Sequence, residues 1–223
     1  RGRFDQALID RIEDDGYVVL GFVETGFVYL MSTKPARTLQ DLKGRRIWMP
    51  EGDSVSKAIA DAAGLSPVPL GLADVMTGLQ TGLVDTVAAP PVAAVALQWF
   101  TRANYVTDMP ITYVYGALVL GEKGFNRLRP EDQAVVKEVM GRVTATLDGT
   151  AREDNAGARI ALEKQGVSFV NPTEETSRRW RDIAAEATES LIASGSYDTG
   201  LLSEIRRELT DYRSKHGESG SGQ

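Results

Sequence analysis

Asp41-Leu42-Lys43-Gly44-Arg45-Arg46-Ile47-Trp48-Met49-Pro50 opens the stretch that decides the fold, which runs on to Pro91. It reads as a loop, a Gly turn, a short apolar strand and a Pro stop. A helix follows over Ser54–Ala63, with Ser54 suited to the N-cap. Val68-Pro69-Leu70 is a Pro-flanked strand. The helix Ala73–Thr81 closes on Gly82, and the apolar run Leu83–Ala89 ends at Pro90-Pro91. Short strands alternating with helices predict a βαβαβ series and an α/β fold with a largely parallel sheet.

Working outward, Phe4–Asp14 has helical apolar spacing and Gly16 ends it. Tyr17–Val23 and Gly26–Met31 read as two strands separated by Glu24 and Thr25, and Thr33–Gln40 reads as a loop. Pro91–Ala103 carries Val92, Val95, Ala96, Trp99 and Phe100 at helical spacing. Ile111–Leu120 is strand-like, and ten extended residues would span about 33 Å, enough to join two lobes. Gly121–Asn126 reads as a turn. Pro130–Gln165 is one long helix, or two joined near Gly149. Val167–Val170 is a short strand. Helices over Thr173–Ala193, with Trp180, Ile183, Ala187 and Leu191 on one face, and over Thr199–Arg213 complete the pattern.

Composition narrows the function. The chain has 223 residues, 42% of them hydrophobic, which is enough for a real core. A net charge of −6 argues against nucleic acid as a partner. With no Cys and a single His, His216 in a polar tail, thiol nucleophiles, Cys-ligated zinc and His-based acid/base chemistry have nothing to use. No apolar run approaches the ~20 residues of a membrane span. The chain starts at Arg1 without Met and reads as a fragment or a processed product. Its end, Gly217–Gln223, reads as a flexible tail.

Few motifs carry chemistry. Gly64, Gly71, Gly78 and Gly82 form neither GxGxxG nor a Walker motif, so no nucleotide cofactor is expected. The acid pairs Asp14-Asp15 and Glu174-Glu175 suit helix ends better than a catalytic dyad. Asp85, inside an apolar run, needs hydrogen-bond partners, such as the amides of the following turn. Arg45 and Arg46 read as a solvated turn or an anion site. Most aromatic residues read as core. Trp48 differs, because it ends a strand, and ligands of open α/β sheets sit outside the carboxyl ends of strands.

An ordered set of motifs resembles the solute receptors of TRAP transporters, of the DctP type. Thr38–Ile47 resembles "DLKGLKIR", Ser66–Pro69 resembles "SPTP", Asp74–Asp85 resembles "EVYxALQTGxVDG", and Leu128–Gln133 resembles "LPEDLQ". The set covers roughly residues 8 to 180. It implies a periplasmic-binding-protein-like two-lobed α/β fold with crossing hinge strands and a long C-terminal helix, the first lobe being incomplete. Residues 1–25 would be the remainder of that lobe and 26–112 the second lobe. Residues 113–165 would form the hinge strand and the lobe-spanning helix, 166–216 a C-terminal strand and helices, and 217–223 the tail. The implied role is a periplasmic receptor that passes a small organic ligand to TRAP membrane subunits. No catalysis, cofactor, metal or nucleic acid is implied. Uncovered lobe surface would favour a homodimer. A ligand-sensing regulatory module is the alternative reading, and an enzyme the weaker one.

The departures from the family pattern bear on the ligand. Trp48 stands where the family places an Arg that clamps a carboxylate. Phe27 and Val28 are apolar where another Arg or polar residue is common. Ala89 of Asp85–Pro90 replaces the Asn of "DGQENP". Bidentate Arg pairing is the physical basis of carboxylate selectivity. Its joint loss predicts a ligand with a substantial hydrophobic or aromatic portion. The expected contacts are Phe27, Tyr29, Trp48, Ala89, Pro90 and Tyr113.

Overall fold

The computed structural model describes residues 3–215; His216 and the tail 217–223 lie outside the described residues. In chain order the elements are α1 (Arg3–Asp14), β1 (Tyr17–Ser32), α2 (Leu39–Leu42), β2 (Trp48–Pro50), α3 (Ser54–Ala63), β3 (Val68–Leu70), α4 (Val75–Thr81), β4 (Thr86–Ala89), α5 (Pro91–Ala96), β5 (Tyr105–Thr107), β6 (Thr112–Gly121), α6 (Glu122–Phe125), α7 (Pro130–Lys164), β7 (Ser168–Val170), α8 (Glu174–Ala193) and α9 (Thr199–Lys215). The chain divides into two compact units. The first comprises residues 1–25, 115–152 and 197–223, the second residues 26–114 and 153–196, so the division falls within β1, β6 and α7.

Strands β2, β3, β4, β5 and β7 lie in the second unit, together with one end each of β1 and β6. β2 and β3 pair in parallel, and an isolated parallel bridge between Ile47 and Thr86 joins them to β4. β4 and β5 flank β1 antiparallel, and β5 pairs β7 in parallel. Thus β2, β3, β4, β5 and β7 share one direction and β1 runs against them. Residues 48–89 build the parallel trio as β2-α3-β3-α4-β4.

Several elements differ from the sequence reading. The two strands expected over residues 17–31 are one 16-residue strand. It continues because Gly21 and Gly26 admit helix α7 at close range. A Cβ at Gly21 would clash with Thr144 Oγ1, and one at Gly26 would lie 2.7 Å from Asn155 Nδ2. The helix from Pro91 stops at Ala96, because Gln98 turns left-handed at φ 57°; a short 3-10 turn, Trp99–Thr101, then buries Trp99. Asp53, not Ser54, caps α3: its carboxylate accepts the Val55 and Ser56 amides, both at 3.0 Å. α2 begins within the expected loop, at Leu39, and is opened by a Thr38/Asp41 capping box. The expected turn at 121–126 contains α6. Strand β5 has no counterpart in the sequence reading. α7 passes Gly149 unbroken, since one Gly costs a helix only about 1 kcal/mol.

In the second unit the main core packs Met31, Val75, Leu79, Val84, Val87, Trp99, Val106 and Leu162. A separate cluster, Leu30, Ala36, Leu42 and Ile47, meets Trp180 of α8. In the first unit Val18, Leu20 and Phe125 pack with Val136 and Met140 of α7. There Arg11 of α1 also pairs with Asp198, just before α9, at 2.7 Å.

One ion pair ties α7 to the end of β5. Arg159 Nη1 and Nη2 donate to Asp108 Oδ1 and Oδ2 at 2.7 and 2.6 Å, and its guanidinium lies 4.0 Å from the Phe169 ring centroid. These hydrogen bonds hold the Asp108 pKa below the ordinary 3.8, against the opposing effect of burial. A depressed carboxylate pKa contributes stability that is present above the unfolded value and lost as pH falls through the folded value. Asp108→Asn is therefore expected to cost about 1–2 kcal/mol at pH 7. Its urea midpoint should converge on that of the wild type as pH drops below 3.8. Gly21→Ala is expected to destabilise by about 2–3 kcal/mol. Adding Thr144→Ala should recover part of that loss in the same denaturation assay, because it removes two of the three nearest atoms.

Candidate functional site

The alternation of strand β1 sorts its residues onto two faces. Its register sets Tyr29 opposite Ala89 and Leu30 opposite Ala88. Tyr29, Met31 and Ala89 point to the side covered by Leu162 and Phe169, where they line only a small gap. Val28, Leu30 and Ala88 line a different space, a cavity of about 350 Å³ within the second unit. That size falls at the lower end of small-molecule sites.

Four groups of residues complete this cavity. Ile47, Trp48, Met49 and Pro50 form one wall, from β2 and the residue before it. Val55, Ser56, Ile59 and Ala60 of α3 form another. Leu65 and Pro67 close one end. Pro90, Ile111, Thr112, Val114 and Trp180 complete the rim. Among the described residues the lining is predominantly apolar and contains no Lys or Arg. Its only charged member is Asp53, whose Oδ2 also accepts the Ser56 hydroxyl at 2.6 Å. The carboxylate is thus held by its own helix, and its charge opposes an anion placed nearby.

The expected contact residues separate in space. Trp48 and Pro90 border the cavity. Tyr29 and Ala89 lie across the sheet from it. Phe27 and Tyr113 are exposed and pack edge to face, with centroids 4.8 Å apart. The sequence reading did not single out Leu30, Ile59, Leu65, Ile111 or Trp180 as site residues. The signal for Trp180 was its place on the apolar face of α8; the others carry only generic apolar patterning.

Trp48 does two jobs. Its indole N–H donates to the Leu70 carbonyl at 3.0 Å, so the donor is spent inside the protein. Its ring meets Trp99 edge to face at 5.2 Å, and the residue is 9% exposed. What it offers the cavity is an aromatic surface without a free polar group. Arg46, two residues earlier, is no free anion site either. Its amide and Nε each donate to Asp85 at 3.2 Å. Asp85 therefore finds its partners in Arg46 and in the Thr86 hydroxyl, not in the amides of the following turn. Arg45 donates to the Asp41 and Pro35 carbonyls.

Comparison with known proteins agrees with this fold. Residues 1–194 match the model of the family described as "Bacterial extracellular solute-binding protein, family 7" (DctP), and the chain belongs to that family. One curated relative is the C4-dicarboxylate-binding periplasmic protein DctP of Rhodobacter capsulatus, 23% identical over 184 residues, covering 82% of this chain and 55% of the relative. The chain thus spans little more than half the length of that relative. The solved structure of a TRAP periplasmic solute-binding protein from a Sulfitobacter species, with bound β-D-galacturonate, aligns with a TM-score of 0.80 at 22% identity, covering 90% of this chain and 66% of that one. Another, from Desulfovibrio salexigens with bound orotic acid, aligns with a TM-score of 0.81 at 17% identity, covering 94% and 68%. These likenesses establish the periplasmic-binding-protein fold that the motif set implies.

Trp48→Phe retains the aromatic wall and removes the donor to Leu70. It is expected to lower stability by about 1 kcal/mol in urea denaturation. Trp48→Ala should cost about 3–5 kcal/mol, because it also opens a void between cavity and core.

Proposed function

We propose that this chain acts as the extracytoplasmic solute receptor of a TRAP-type transporter, working in the periplasm and delivering a small organic ligand to membrane subunits. We further propose that the ligand carries a larger apolar or aromatic portion than the usual carboxylates of such receptors. The receptor role rests on the family match over residues 1–194. The ligand class rests on one observation: the 350 Å³ cavity is walled by Trp48, Leu30, Ile47 and Ile59 and has no cation among the described residues that line it.

The energetics point the same way. A carboxylate moved into such a space without a charged partner loses several kcal/mol of hydration. An aromatic ring or branched chain there gains roughly 25 cal/mol for each Å² of apolar surface removed from water. The similar structures hold galacturonate and orotic acid. Of these, the planar ring of orotic acid is nearer in shape to what this cavity favours. No part of this reading calls for a catalytic group.

Isothermal titration calorimetry against two panels tests the proposal, one of small polar acids such as malate and galacturonate, the other of aryl and branched-chain compounds. The second panel should bind at least about tenfold more tightly, a difference of roughly 1.4 kcal/mol. Comparable micromolar binding of the polar acids would overturn the ligand class and leave the receptor role standing. Ala88→Phe, which fills the cavity from β4, should abolish binding of the second panel.

A further inference from the structure

A second cavity of about 300 Å³ adjoins the first within the second unit. Ile59, Ile111 and Trp180 line both, so these three side chains mark where the two adjoin. Past them the lining of the second includes Met109, Pro110, Ser177, Ile183 and Arg181. Among the described residues Arg181 is the one cation lining either space.

The helix pattern makes Arg181 part of this cavity. Ser177, Trp180, Arg181 and Ala184 follow i, i+3, i+4, i+7 spacing and so share one face of α8. The neighbouring arginines of the same helix are engaged elsewhere: Arg178 pairs with Glu174, and Arg179 with Asp182 and Glu186. Among the described residues no hydrogen bond or ion pair holds Arg181. A guanidinium beside an apolar cavity, with no carboxylate of its own, is set to receive an external one in bidentate geometry.

We propose that the two cavities form one elongated site for an amphipathic monocarboxylic acid. Its apolar body occupies the space beside Trp48 and Leu30, and its carboxylate reaches past Trp180 to Arg181. This rests on the apolar-ligand reading and sharpens it: the anion-binding charge lies on α8, not at position 48 of β2. The acid group stays at the open end of the site, where its hydration is largely kept. Only the apolar body is transferred out of water, which removes the penalty of burying an unpaired charge.

The test compares 4-phenylbutyrate with its neutral amide, 4-phenylbutyramide, by calorimetry on the 223-residue chain. The two probes share an apolar body and differ only at the head group, an anionic carboxylate in one and a neutral amide in the other. The wild type should bind the acid about tenfold more tightly than the amide, as a charge-assisted bidentate contact implies. Arg181→Gln should reduce acid affinity about tenfold, to the level of the amide, with amide binding and melting temperature unchanged. Arg181→Lys should retain part of the preference. Added salt should weaken the acid only. Equal acid affinity in wild type and Arg181→Gln overturns the role of Arg181 and leaves the apolar site standing. Absence of binding by both probes in the wild type overturns the apolar-ligand reading, and this inference with it.

Discussion

The register between β1 and β4 is the constraint on which the second unit depends. With Tyr29 opposite Ala89 and Leu30 opposite Ala88, alternate residues are sent to opposite faces of the sheet. One face meets Leu162 and the Trp99 turn and closes into the main core. The other is bounded by α3 and α8 and leaves a cavity. A slip of one residue would exchange the two sets and bring the core residues Met31 and Val87 to the cavity side. The buried core makes that slip costly, so the cavity lining is set by the same energetics that hold the fold.

Trp48 shows how core and site are built from one residue. An Arg at this position would bring a charge to the edge of the main core, where desolvation is severe unless a ligand anion or a protein acid answers it. An indole needs only one hydrogen-bond acceptor, and the parallel neighbour β3 supplies it through the Leu70 carbonyl. Packing against Trp99 then fixes the ring. The indole that forms part of the cavity wall is thus also held from behind. A change at position 48 therefore acts on the cavity wall and on stability together.

Much of the architecture was legible in the sequence because its signals are local. The helix over Ser54–Ala63 and the strand over Val68–Leu70 follow from spacing and Pro or Gly punctuation, and both occur at those bounds. Errors arose where a distant partner decided the outcome. β1 is continuous because two glycines admit Thr144 and Asn155, more than a hundred residues away in sequence. Gln98 breaks a helix that its neighbours favour, and Trp99 enters the core next to Trp48. β5 is three residues long and is defined by its neighbours β1 and β7, not by a pattern of its own. The contact residues chosen from the motif positions fell on both sides of the sheet, since motif spacing carries no record of which strand lies opposite.

The sequence by itself determined the class of fold and the family, because motifs and helical periods are properties of the chain alone. It also singled out Trp48 at the end of a strand. Tertiary structure alone decided that the Trp48 donor is already spent, that Ala88 rather than Ala89 lines the cavity, and that Arg181 lies at the neighbouring one. The physical reason is the same in each case. Side-chain direction, burial and hydrogen-bond supply depend on what the other strands and helices bring to within about 3–5 Å, and residues far apart in the chain meet at those distances only once the sheet and its covering helices are in register.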